Sequence, residues 1–362
     1  MATVKNMDTI TSTRTGSRFA TTDTYLTPIA LGAMIFGTST PEPEARLILD
    51  HFIGEVTPRY RAPDGTPALG MIDTADCYCW WQARGEAGGH SESLLGRWFA
   101  GSGARDRVFL ATKATGMLKD FDGVWQPDGR ADWSVASTKF VGAAPEVLRA
   151  ALVGSLERLQ TDRVDLYYNH VDDRKTPLPD AVGTFASFVA DGRVGHYGWS
   201  NVTTWRLAQI RDVADANGWP QPAALQQQHS YLARRAGIRH NSIPDSEQLD
   251  YLATYPDLQL VAYSPVLKGL YSDKPKRGRD FGVMDPYWGP DADAKLAAVD
   301  RVAAASGATG NQVVLAWMIA QESPRALPLI GPRTFGQYLE CIEALDVDLT
   351  ADRLAELNKA GA

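Results

Sequence analysis

Eight short apolar runs, each separated from the next by a longer stretch, restrict this chain to very few folds. The runs cover residues 29–32, 70–73, 108–113, 164–170, 194–200, 224–229, 258–264 and 326–330. Helical periodicity is legible between them, over 44–52, 91–100, 145–159, 179–190, 204–217, 293–305 and 312–321. The segment 145–159 makes the case most clearly. It opens on a proline and places Val147, Leu148, Ala151, Leu152, Leu156 and Leu159 on one face, the pattern of a helix that buries a single stripe. Strand–helix alternation of this kind implies a parallel sheet, because parallel neighbours need a crossover between them. Eight units fit a closed barrel, and an open doubly wound sheet is the alternative. The expectation is therefore one α/β domain, a (β/α)8 TIM barrel over 25–362. A Thr/Ser-rich flexible segment is expected over 1–24.

Composition narrows the function classes. The 362 residues carry a formal net charge of −7, which provides no basic footprint for nucleic acid or an anionic membrane. No apolar run approaches the roughly 20 residues of a membrane span. The first 24 residues lack the apolar core of a secretory signal, so a cytoplasmic location is expected. Three cysteines in so long a chain argue against a disulfide framework. Cys77 and Cys79 lack the further Cys or His ligands that a tetrahedral metal site needs, and no metal is expected.

The polar residues that close the runs carry more information. They are Asp73, Lys113, His170, Ser200 with Asn201, the glutamines Gln226 to Gln228, Tyr263 with Ser264, and Gly331 with Arg333. In a parallel barrel these ends converge on one mouth, where barrel enzymes place their chemistry. Capping by solvated side chains accounts for one or two such residues, and not readily for all of them. Three long polar stretches, 55–69, 114–144 and 267–290, exceed ordinary connections, and the last two follow strand ends at that mouth.

These residues also carry a resemblance. Asp73-Thr-Ala-Asp-Cys-Tyr78 resembles the Asp-Thr-Ala-x-x-Tyr signature of the aldo-keto reductases, and Ser91-Glu-Ser-Leu-Leu-Gly96 the helix start that follows it. Leu110-Ala-Thr-Lys113 is similar to that family's lysine strand, and the stretch from Asp165 through His170 to Asp173 to its histidine strand. Gly198-Trp-Ser200-Asn201 and the stretch from Ala262 to Leu270 resemble its cofactor-facing strand ends. The stretch from Ile330 to Glu340 is similar to its C-terminal dinucleotide motif. The matches run in order from Leu31 to about Leu357.

The resemblance implies an oxidoreductase that moves a hydride between a nicotinamide dinucleotide and a small-molecule carbonyl or alcohol. Tyr78 would be the general acid/base. A free phenol titrates near 10, so Lys113 is expected to lower its pKa, with Asp73 holding Lys113 charged and His170 orienting the carbonyl oxygen. Toward the cofactor, Gly32, Ala33 and Met34 would lie near the ribose. Ser200, Asn201 and one of the three glutamines, Gln226 by alignment, would hold the carboxamide, and Tyr263 would stack on the ring. Ser264, Pro265, Leu267 and Gly269 would follow the pyrophosphate. Ile330, Gly331, Arg333, Gln337, Glu340 and Cys341 would hold the adenosine end. Arg333 has the forked guanidinium suited to a 2′-phosphate, which favours NADP(H) over NAD(H).

Two features depart from the family pattern. Cys341 stands where asparagine is usual, and the segment after Tyr78 is long and reads Cys-Trp-Trp-Gln-Ala-Arg-Gly-Glu. Trp80 and Trp81 are expected to wall the substrate pocket, with Arg84 or Glu86 meeting its polar groups. The competing readings are an NADP(H)-binding redox sensor or scaffold subunit with little turnover, and a metal-dependent barrel hydrolase, which lacks paired His-x-His ligands.

Overall fold

The computed structural model describes residues 13–82, 84–85, 87–278 and 282–361. All eight runs are strands: β1 (Ala30–Gly32), β2 (Gly70–Asp73), β3 (Val108–Ala114), β4 (Val164–Asn169), β5 (Val194–Ser200), β6 (Ala224–Gln228), β7 (Gln259–Tyr263) and β8 (Ala326–Ile330). Each pairs in parallel with its sequence neighbours, and β8 returns to β1 through Leu329↔Ala30 and Ile330↔Leu31. That last pairing closes the barrel and excludes the open sheet.

Strand alternation explains how both faces are used. Met71, Phe109, Ala111, Leu166, Tyr168, Val261 and Leu327 point inward and fill the barrel. Their neighbours Ile72, Val108, Leu110, Tyr167, Leu225 and Leu260 point outward to the helices. Strands covered on both faces read as nearly unbroken apolar runs, which is why they were visible.

The helical layer comprises α1 (Glu42–His51), α2 (His90–Ser102), α3 (Pro145–Leu159), α4 (Leu178–Ala190), α5 (Thr204–Ala216), α6 (Ser246–Thr254), α7 (Pro290–Ser306), α8 (Gly310–Ile319), α9 (Phe335–Glu343) and α10 (Ala351–Lys359). Helix α3 has the bounds its periodicity predicts. Helices α6, α9 and α10 were not anticipated. Each buries only one or two side chains, Gln248 and Leu252 in α6, Tyr338 and Ile342 in α9, and Leu357 in α10, too thin a stripe to register as periodicity. Helices α2 and α3 come so close at Gly96 that a Cβ there would lie 2.1 Å from the Arg158 carbonyl oxygen. Among the described residues, no single helix is long and apolar enough to cross a membrane.

The expected boundary after residue 24 needs correction for the residues described. Ser17–Arg18 pairs antiparallel with Tyr25–Leu26, so a hairpin straddles it. Phe19, 1% exposed, packs on Phe109 with ring centroids 4.8 Å apart and on His196 at 5.5 Å. The neighbouring Ala20 is tied by its N–H to Gln259 and by its carbonyl to Arg325. These partners sit at the starts of strands, so the segment seals the floor of the barrel. Its apolar residues are few, and polar composition alone read as a tail.

At the opposite mouth, the stretches after β2 and β3 are structured by each other. Ala75, Tyr78, Cys79, Trp80, Leu118, Val124 and Ala136 form a separate apolar cluster, with Trp81, Phe121 and Trp125 packed against it. The stretch after β7 packs Leu267, Leu270, Tyr271, Met284 and Tyr287 into a further cluster with Leu296, Val299 and Val302 of α7 and Val313 and Val314 of α8.

Candidate active site

The inward phase of each strand runs on to its C-terminal end. On β3 the inward series Phe109, Ala111 continues to Lys113, on β2 Met71 continues to Asp73, and on β4 Leu166 and Tyr168 lead to His170 just past the strand. On β6 the same alternation assigns the glutamines. Gln226 shares the interior with Ala224, whereas Gln227 turns outward, where its amide donates to Val202 O, Asn241 O and Gln248 Oε1. Gln226 and Gln228 thus share the inward phase of the strand, and Gln227 does not.

Tyr78 arrives from the loop after β2, and its hydroxyl meets the amine of Lys113 at 2.8 Å. The same amine donates to Asp73 Oδ1 and, at 2.7 Å, to the carbonyl of Thr74. Gln226 Nε2 donates to the other Asp73 oxygen at 2.8 Å. Lys113 is fully buried and Asp73 1% exposed, a pairing that burial makes obligatory. An ammonium has three protons, and all three are spent here. The Tyr78 oxygen is therefore an acceptor toward Lys113, and its own proton is free to point elsewhere. The His170 ring stands edge-on to Tyr78, centroids 5.7 Å apart.

The electrostatics correct one expectation. Burial, reinforced by the Asp73 carboxylate, pushes the Tyr78 phenol well above its ordinary value instead of lowering it. Desolvation is the larger effect, and Tyr78 keeps its proton. Burial, and then the Lys113 charge, hold His170 well below its usual range, as a neutral imidazole. The backbone around this mouth is strained. Asn201, at φ 57°, and Ser264, at φ 54°, occupy the left-handed region without being glycine, a cost usually tolerated at functional sites.

The family model described as "Aldo/keto reductase family" matches residues 28–362. The chain belongs to the aldo/keto reductase family. An uncharacterized oxidoreductase of Bacillus subtilis, YrpG, is 30% identical over 336 residues, covering 91% of this chain and 90% of that protein. The aldo-keto reductase str7 of Strobilurus tenacellus is 29% identical over 83% of this chain and 80% of its own length. Aflatoxin B1 aldehyde reductase member 2 of rat is 31% identical over 59% of this chain and 51% of its own length. The chain is thus an NAD(P)(H)-dependent oxidoreductase on a (β/α)8 barrel.

The remaining residues singled out from the sequence stand in differing states. Ser200 Oγ donates to the Gln226 carbonyl, and Asn201 Nδ2 to the carbonyl of His170 and to Ser200 Oγ. The Tyr263 hydroxyl donates to Asn201 Oδ1 at 2.9 Å, which fixes a half-buried ring. Gly32 ends β1, Ala33 is buried, and Met34 is 45% exposed. Ser264 is exposed, Pro265 is buried, and the Leu267 side chain belongs to the cluster shared with α7 and α8, leaving backbone as its offering beside Gly269. Ile330 is buried in the barrel wall, while Gly331 and Arg333 are exposed. Gln337 accepts from the Arg333 N–H, so it shapes the loop that presents Arg333. Glu340 Oε1 collects donors from Ser272, Thr309 and Asn311. Cys341 packs against the main core, where burial pushes its thiol up to about 12.

Of the two tryptophans after Tyr78, Trp81 is the one in ring contact with it among the described residues. Trp80 is 1% exposed and is ringed by Trp81, Phe121, Trp125 and Trp133 at 5.1–6.4 Å. It is the hub of the loop cluster. Trp81 is half-buried and meets Tyr78 edge-on at 6.0 Å, with Trp133 on its far side at 5.9 Å. Arg84 is exposed, and Glu86 lies outside the described residues. Sequence reasoning missed Trp133, because nothing in the sequence ties a residue about fifty positions on to the loop after β2. It also missed the contact between Gln226 and Asp73.

Proposed function

We propose that the protein reduces a small-molecule aldehyde or ketone with NADPH, Tyr78 acting as general acid and, in the reverse direction, as base. The observation that carries this reading is the saturated Lys113 amine, which leaves a protonated, buried phenol with its hydroxyl proton uncommitted. Bound nicotinamide would supply the hydride. A carbonyl oxygen gaining negative charge needs donors already in place, and Tyr78 with His170 offers two from adjoining positions. As the Tyr78 proton leaves, the phenolate inherits its hydrogen bond from Lys113, and Asp73 keeps that amine charged and in place. Gln226 steadies Asp73 through its second oxygen.

The donor set fits a dinucleotide. Tyr263 presents a ring held at its hydroxyl by Asn201, which in turn bonds Ser200, and the strained backbone at Ser264 turns the chain toward Leu267 and Gly269. Gly32, Ala33 and Met34 border the opposite side. Glu340 and Ile330 to Arg333 would take the adenosine end, with Cys341 the weakest contributor because its thiol packs on the core. The Arg333 guanidinium forms no ion pair with a described acid, and an uncommitted arginine suits a 2′-phosphate. Trp81, with Trp133 behind it, supplies an aromatic wall beside Tyr78, suited to a carbonyl substrate larger than a simple aldehyde.

Steady-state oxidation of NADPH and NADH with a panel of aliphatic, aromatic and sugar-like carbonyls tests the reading. Arg333→Ala should raise the KM for NADPH by about tenfold, the worth of a charge-assisted hydrogen bond, and leave NADH kinetics unchanged. Equal loss with both cofactors would refute the NADP preference. Tight NADPH binding without oxidation by any carbonyl would favour a binding subunit.

A further inference from the structure

The residue before the candidate acid, Cys77, is 3% exposed, and its Sγ lies 3.4 Å from Nδ1 of His170. Two observations define what it can do there. Burial, followed by the neighbouring Asp76, pushes the thiol well above its ordinary value, so it stays S–H, unreactive as a nucleophile but able to donate. His170 is neutral, with one ring nitrogen protonated and one carrying a lone pair. The pair is also seated. A Cβ on Gly116 would lie 2.8 Å from both Cys77 Sγ and His170 Nδ1, so the absence of a side chain there lets thiol and ring occupy one niche.

We propose that Cys77 is a positioning residue that selects the tautomer of His170. The thiol donates to Nδ1, which places the ring proton on Nε2. A neutral histidine then presents a donor to the carbonyl oxygen instead of a lone pair that would repel it. Gly116 holds the geometry by admitting both groups. The proposal rests on the reductase reading above, and it extends that reading to a residue type at this position that nothing else in the site requires.

The test is made on the full chain, with 15N-labelled histidine and the His170 signals assigned by their loss in His170→Gln. In the wild type, Nε2 should show the shift of a protonated ring nitrogen and Nδ1 that of an unprotonated one. Cys77→Ala should give a tautomer mixture and lower kcat about tenfold, with the KM for NADPH unchanged. Cys77→Ser, which keeps a donor, should return kcat to within about threefold of wild type. A wild-type ring protonated at Nδ1, a Cys77→Ala variant with wild-type signals and kcat, or a serine variant as impaired as the alanine one would overturn the proposal. The nitrogen spectrum is read on the resting protein. Absence of all turnover would therefore sink the reductase reading and leave the tautomer question separately answered.

Discussion

Asp76 shows how strongly burial sets protonation around this mouth. It lies two residues before Tyr78, is 4% exposed, and its Oδ1 has no partner among the described residues. Desolvation, then repulsion from the buried Glu92, pushes it up to about 8 from an ordinary 3.8. The folded state therefore takes up a proton that the unfolded chain releases once the pH passes its ordinary value. This group's stabilisation is complete below pH 3.8 and declines as the pH rises to about 8. Denaturation midpoints between about pH 5 and about pH 9 should fall in the wild type relative to Asp76→Asn. Parallel curves for the two proteins would contradict the assignment. The same balance separates what the sequence disclosed about Tyr78 from what it did not. The residue type and its lysine partner were legible, but the direction of its shift depended on how much water the fold removes. Which of the three glutamines face inward was likewise open in the sequence and followed from the phase of β6.

At the scale of elements, the strands were legible because they are apolar on both faces, whereas the mouth loops were read only as long and polar. Their order comes from the contact between two of them. Trp80 fills the centre of that contact and Trp81 its edge toward Tyr78. The two adjacent tryptophans should therefore respond differently. Trp80→Ala should cost roughly 3–5 kcal/mol of stability, as expected for truncating a large core aromatic, and be seen as a lower midpoint in denaturant. Trp81→Ala should leave the midpoint within about 1 kcal/mol and raise the KM for bulky aromatic carbonyls, with NADPH affinity unaffected. Matching stability losses in both variants would show that Trp81 too serves only packing. Alternation of neighbouring side chains is a property of strands, and in an irregular loop the sequence offers no rule for which of two tryptophans turns in.

The whole molecule divides its tasks between the two ends of one barrel. At the floor, the hairpin with Phe19 closes the interior, and at the mouth the strands deliver polar side chains that could not be buried singly. The barrel was legible from eight apolar runs, and its mouth from the polar residues that close most of them. The floor plug was not, because one phenylalanine in a polar segment leaves no pattern. The account's central claim is that Tyr78, with its hydroxyl beside the Lys113 amine, carries the proton. Single-turnover oxidation of bound NADPH by a carbonyl, compared between wild type and Tyr78→Phe, tests it most directly. A loss of at least about 100-fold is expected in the variant, with NADPH affinity retained by fluorescence titration. A Tyr78→Phe variant that reduces the carbonyl at the wild-type rate would contradict it.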